Sequence, residues 1–299
     1  MVYSPSQTKQ YLVCPTARML GQEGWTSRVI GIRDWVAWIG QGVHAGLAHI
    51  YSKDNIAVSG HHVDQFVQAG QECFAEHMLH AIQGGRIIPN TFYTAEAKAH
   101  IERCLEYAMS HDILPTGFEV ERVEQSLGPD SGNCVLDVVG KKNGKPTFID
   151  WKVKWKCKLE YVDQELEKYR YDWKEARHYP WALSQVTGQR VEEYSVVMFV
   201  LQPQFKVVQR TYQVNWPVVQ RWEEGLVENG LHASLWPVME SGQWQSNACY
   251  SNHFPCEYLD ACWTYNLDRE KMRAGGLVQV QRLNKQTLAS SQEDQQGGV

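Results

Sequence analysis

Asn143-Gly144 is the tightest constraint in the sequence. Both residues tolerate positive φ, and Asn-Gly between two apolar-rich runs is the strongest short-range sign of a β-hairpin. The flanking runs extend over Val135–Lys152. Counting outward from that turn, Asp137 falls opposite Asp150. Opposed side chains lie about 4.5–5.5 Å apart at Cβ, where like charges repel. Such a pairing calls for positive charge between the two carboxylates. Period-two alternation puts Phe148, Asp150 and Lys152 on one face, and Ile149, Trp151 and Val153 on the other. One spot thus receives two carboxylates and an ammonium, the pattern of a hard-cation site with a lysine beside it. Pro146, which has no ladder donor, is the residue set against this register.

A chain of 299 residues can bury one substantial core or two small ones. Its 43% hydrophobic and 21% charged residues are ordinary for a soluble globular protein. Apolar runs fall short of the roughly 18–20 residues that span a bilayer. The opening residues lack a basic stretch followed by an apolar one, so we expect no secretory signal, no membrane and a cytoplasmic setting. A formal charge of −5 argues against a globally basic nucleic-acid coat. Locally, Lys152, Lys154, Lys156 and Lys158 alternate with Trp151, Val153, Trp155 and Cys157. They form either a solvated edge or a phosphate track leading to the acidic pair.

Elsewhere, Ser4-Pro5 starts a helix that ends near Cys14-Pro15. Helical spacing recurs over 33–51 (with His44 between Gly42 and Gly46), 62–83 and 94–110. Small neighbours around His44 let another backbone approach, so its imidazole can reach a sheet; a buried structural histidine is the plain alternative. A strand over 118–127 carries Glu119 and Glu121 on one face, either of which could join the acidic site. A charged helix over 160–187, strands at 194–202 and 205–214, and a helix over 217–228 follow. Residues 284–299 are polar and aperiodic and read as a disordered tail.

Mg²⁺ and Mn²⁺ take oxygen ligands from one or two carboxylates, completed by water or phosphate oxygens. Asp137 and Asp150 suit such an ion held against a scissile phosphate, with Lys152 orienting the attacking water or stabilising the growing charge. Alone, Asp-x-Lys is equally a surface ion pair worth about 0–1 kcal/mol. Of the eight cysteines, Cys73, Cys104, Cys134 and Cys157 sit in periodic patterns and read as small core residues. Cys14, Cys249, Cys256 and Cys262 stand apart in polar surroundings, where four thiolates suit either zinc or an iron–sulfur cluster.

Asp137, the hairpin, Ile149-Asp-Trp-Lys152 and the upstream helix with His44 together resemble the RecB-like branch of the PD-(D/E)XK nucleases. The resemblance spans residues 4 to about 262. It implies that His44, Asp137, Asp150 and the carbonyl of Trp151 bind the divalent metal, and that Lys152 is the catalytic lysine. It further implies a [4Fe-4S] cluster. Cys14-Pro15 matches the branch's first ligand and Cys256-x5-Cys262 its last two. Cys249 is the preferred remaining ligand, with six residues between it and Cys256 where the branch usually has two; His253, at the commoner spacing, is its rival. A Gln/Tyr motif follows the lysine in that branch. Tyr179 is its equivalent here, while the glutamine has no obvious counterpart and Arg177 is a substitute.

The resulting expectation is an α/β, restriction-endonuclease-like fold, a mixed central sheet flanked by helices and stapled by the cluster. It would form one domain over 1–283. The implied activity is Mg²⁺- or Mn²⁺-dependent cleavage of DNA, as an exonuclease favouring single strands or ends. It resembles CRISPR-associated or phage-type stand-alone exonucleases, in a setting of recombination, repair or spacer acquisition. No phosphate-loop motif is found, so unwinding would fall to a partner helicase or a recombination or CRISPR protein. The alternatives are a catalytically silent DNA-binding or assembly subunit with the same fold, and a zinc-stabilised protein of unrelated function.

Overall fold

Sequence periodicity and the elements of the computed structural model coincide closely. The structure describes residues 20, 23–52, 63–128, 134–172, 174–221, 223–224, 269–274 and 277–280. In chain order these form β1 (Trp25–Ser27), α1 (Ile32–Ile50), α2 (Val63–Gln83), α3 (Thr94–Ser110), β2 (Phe118–Leu127), β3 (Cys134–Lys142) and β4 (Lys145–Lys156). Then come α4 (Val162–Glu167), α5 (Tyr179–Thr187), β5 (Glu193–Gln202), β6 (Lys206–Gln213), α6 (Arg269–Ala274) and β7 (Leu277–Gln279). The expected helix over 4–13, the cysteine-bearing C-terminal segment and the 284–299 tail lie outside the described residues, as does part of the 217–228 helix. No helix among the described residues is long and apolar enough to cross a membrane.

The described residues gather into two compact units. The first holds residues from 32 to 75 and from 92 to 224. Its centre is a five-stranded sheet in the order β2-β3-β4-β5-β6. Strands β4 and β5 run parallel while the other neighbours are antiparallel, so the sheet is mixed as expected. The second holds residues from 23 to 31, from 76 to 91 and from 269 to 280, in which β1 pairs antiparallel with β7.

The hairpin follows from its turn. Asn143 and Gly144 take φ of 52° and 76°, the doubly positive pair that a two-residue turn needs to match strand twist. Lys142 then faces Lys145 and Val138 faces Ile149, the register counted from the sequence. Pro146 sits opposite Lys141 without shifting it.

Both sheet faces are covered. Phe148, Tyr194, Val196, Met198 and Val200 pack with Val162, Leu166, Tyr179 and Leu183 on one side. On the other, Trp151 meets His44 and Tyr51, each ring centroid 5.9 Å from its own. Full burial of such side chains contributes about 1.5–3 kcal/mol each.

The charged stretch over 160–187 is not one helix. A 3-10 turn, α4, a second 3-10 turn and a π-helical turn at Lys174–His178 precede α5. Pro180 stands in the first turn of α5; lacking an N–H, it cannot prolong an upstream α-helix but can begin a new one.

Helix α1 buries Trp35, Ile39, Gly42, Val43, Gly46 and Leu47 along one stripe. A methyl added at Gly42 would lie 2.6 Å from the Gly70 carbonyl oxygen and 2.8 Å from Ile101 Cδ1. One added at Gly70 would lie 2.7 Å from the Gly42 oxygen. The α1 and α2 backbones are therefore in contact, and this seats α1 against the sheet. Gly42→Ala is expected to destabilise the fold. Overpacking costs about 1–3 kcal/mol, more than the roughly 1 kcal/mol that alanine gains in a helix. Urea unfolding measured beside Gly128→Ala, whose methyl meets nothing within 4 Å, checks this; a net gain in stability would refute the backbone contact.

Candidate active site

Asp137 lies near the middle of β3, where the ladders on both sides bring acids to it. Across from β4, the pair Val138–Ile149 leaves Asp137 and Asp150 as the next opposed positions. There the ladder opens, and the Trp151 backbone N–H donates to Asp137 Oδ2 at 2.8 Å. On the β2 side, Val123 pairs with Val138 and Gln125 with Leu136, so Glu124 stands across from Asp137. Glu124 has φ 46°, a conformation that few non-glycine residues adopt. It follows a register shift between Val120 and Arg122 that marks a bulge.

The third element is α1. His44 Nδ1 lies 3.2 Å from Asp137 Oδ1. Ligand atoms of His44, Glu124 and Asp137 all fall within 4.8 Å of one another. An imidazole and two carboxylates at that spacing fit a divalent cation such as Mn²⁺ or Mg²⁺.

Asp150 turns to lysine. Its Oδ2 is 2.5 Å from Lys152 Nζ, and the same ammonium is 2.6 Å from Glu175 Oε1. Asp150 and Glu175 are 3% and 2% exposed, so both carboxylates depend on that ammonium. The Tyr169 ring lies 5.4 Å from Nζ. Glu175 reaches this spot from the π-helical turn.

The local fields set protonation. Burial would raise the Asp137 carboxyl, but the charge and hydrogen bond of His44, Lys152 and the Trp151 N–H draw it down to about 2. Burial likewise opposes a charged His44, yet Asp137 holds the imidazole above its usual 6.5. Burial works against Lys152 too, and Asp150, Glu175 and Asp137 overcome it, holding the lysine well above its ordinary range. It is an ammonium at neutral pH, a donor rather than a base. Burial and Asp150 push Glu175 up to about 7 despite Lys152.

Of the residues singled out from sequence, His44, Asp137, Asp150 and Lys152 come together, with the backbone of Trp151 beside them. Tyr179 is 5% exposed at the start of α5, its ring edge-on to Phe148. Burial raises its phenol, and Asp150 and Asp137 add to the rise. Cys14, Cys249, Cys256, Cys262 and His253 lie outside the described residues. Cys104, Cys134 and Cys157 are buried, and Cys73 is half-buried.

Glu119 and Glu121 are not in the metal group; Glu121 pairs with Lys141 instead. The lysine track is partly neutralised, because Lys154 engages Glu165 of α4 at 2.8 Å and Lys152 is held as above. Two residues of the site carried no mark in the sequence. Glu124 depends on a bulge with no glycine or proline to announce it. Glu175 depends on a π-helical turn whose only hint is Pro180.

A family model described as the PD-(D/E)XK nuclease superfamily matches residues 2–263. The solved structure titled "Crystal structure of SSO0001" is 15% identical, covering 76% of this chain and 95% of its own, with a TM-score of 0.26. No curated protein matches the sequence.

In calorimetric titration with Mn²⁺, His44→Ala, Glu124→Gln and Asp137→Asn should each weaken binding by roughly 10–100-fold, whereas Glu121→Gln should not. Because a ligating imidazole must be neutral, affinity should fall as pH drops through the raised His44 value. Undiminished binding in all three variants, or a pH-independent affinity, would rule the group out as the metal site.

Proposed function

The chain belongs to the PD-(D/E)XK nuclease superfamily, and from that premise we propose that it hydrolyses DNA phosphodiester bonds with Mg²⁺ or Mn²⁺, as an exonuclease preferring single strands. The observation that carries this reading is a half-buried ammonium, Lys152, joined to the buried Asp150 beside a convergent His44–Glu124–Asp137 group. A bound cation supplies Lewis-acid polarisation of the phosphoryl oxygen and a more acidic water. His44, Asp137 and Glu124 or Asp150 hold it, with the Trp151 carbonyl as a further oxygen. Lys152 donates to the attacking water or to the phosphoryl oxygens as negative charge builds. Tyr179, kept protonated by burial, serves as a donor at the site's edge.

Cys14, Cys249, Cys256 and Cys262 are assigned to a [4Fe-4S] cluster, with His253 the rival of Cys249 and zinc the rival metal. Supporting this is the pairing of β1 with β7, which joins a strand shortly after Cys14 to one shortly after Cys262. A cluster there would close a loop of most of the chain, so its loss would be destabilising. The family match runs through both compact units and supports treating 1–283 as one nuclease domain. The expected setting is cytoplasmic recombination, repair or spacer acquisition alongside a helicase or CRISPR partner.

End-labelled single-stranded and duplex DNA, incubated with Mg²⁺ or Mn²⁺, tests the activity. Lys152→Ala should retain binding and lose about 10²–10³ in rate. Equal cleavage by both proteins would remove Lys152 from its role, and binding without cleavage by the wild type would favour the silent-subunit reading. Anaerobically purified protein should contain iron and acid-labile sulfide with broad visible absorbance, and Cys256→Ser should lose both and unfold at lower temperature. Stoichiometric zinc without sulfide would overturn the cluster assignment.

A further inference from the structure

Lys152 is held between two buried carboxylates, and only one of them belongs to the Asp-x-Lys motif. Asp150 lies on β4, two residues from the lysine, and projects with it toward the metal group. Glu175 comes from a different element, a π-helical turn inserted ahead of α5. Such turns add a residue to the helical repeat and re-aim the side chains around them. Here the turn delivers a carboxylate that is 2% exposed to within 2.6 Å of Nζ.

We propose that Glu175 is a positioning residue of the nuclease, holding the Lys152 ammonium in place when Asp150 turns toward the metal ion. The inference rests on the nuclease reading above. Asp150 cannot give full charge to a divalent cation and to Lys152 at once. With Asp150 drawn away and Asp137 also turned to the cation, the half-buried ammonium would lose its nearest counter-charges on the sheet, which is costly. It would swing out or lose its proton. Glu175 prevents both: its carboxyl group lies 2.6 Å from Nζ and remains as the lysine's negative partner once the opposing charge of Asp150 is given to a cation, and the Tyr169 ring lies 5.4 Å from Nζ. It also neutralises Lys152 as seen by the cation, lowering the repulsion between an ammonium and a metal ion in neighbouring positions. Glu175 touches neither the metal group nor the scissile phosphate in this account; it acts through Lys152.

Glu175→Gln preserves shape and an acceptor but removes the charge; Glu175→Asp keeps the charge and withdraws it by one methylene. With DNA and Mn²⁺, Glu175→Gln should lower kcat about 10–100-fold at unchanged KM for DNA. Its Mn²⁺ affinity, read by electron paramagnetic resonance without DNA, should weaken several-fold. Glu175→Asp should lower kcat with Mn²⁺ affinity closer to the wild type, and it carries the test if the glutamine variant does not fold. A merely structural role would lower the unfolding midpoint and leave the kcat of the folded fraction intact. That result, or wild-type kcat in both variants while Lys152→Ala is silent, overturns the inference and leaves the nuclease reading standing. A wild type that cleaves nothing with either metal overturns both.

Discussion

Carboxylates set side by side on adjacent strands repel, and this sheet carries Glu124, Asp137 and Asp150 across β2, β3 and β4. Directly opposed like charges destabilise a sheet, and burial increases the cost by removing water. Much of the surrounding structure answers that repulsion. His44 is drawn toward a positive charge by Asp137, Lys152 is held as an ammonium by Asp150 and Glu175, and the Trp151 N–H caps Asp137 Oδ2. The donor atoms of His44, Glu124 and Asp137 lie within 4.8 Å of one another, close enough for a divalent cation to serve as the remaining neutraliser that we propose.

Each compensating group depends on packing away from the site. His44 reaches β3 because Gly42 and Gly70 let the α1 and α2 backbones touch, while Gly46 gives room to Leu105 of α3. Glu175 reaches Lys152 because the crossover between β4 and β5 is broken into short turns, one of them π-helical. The parallel β4–β5 pairing requires that crossover, since parallel neighbours cannot be joined by a tight turn. Fold and site are thus coupled through backbone contacts that few side chains could replace.

Much of this was legible in order along the chain. The 118–127 strand and the 94–110 helix have the ends that periodicity gives them, and the hairpin keeps the register counted from Asn143-Gly144. Those features are local: turn dihedrals and alternation are written in neighbouring residues. Glu124 and Glu175 were not legible, although both are ordinary glutamates in segments whose general course was expected. A bulge and a π-helical turn each add one residue to a repeat. That single step decides which way a side chain faces, and no residue type at either place demands it.

Sequence alone determined the hairpin, the acidic pair opposed across it, and the lysine two residues on, because turn chemistry and the two-residue strand period act over a few positions. It also determined membership in the nuclease superfamily, which the match over residues 2–263 states independently. Tertiary structure decided the partners. Asp137 gained Glu124 beside the His44 that the resemblance had implied, and Lys152 gained Glu175, because irregular turns and bulges bring residues together at positions that no local period can encode.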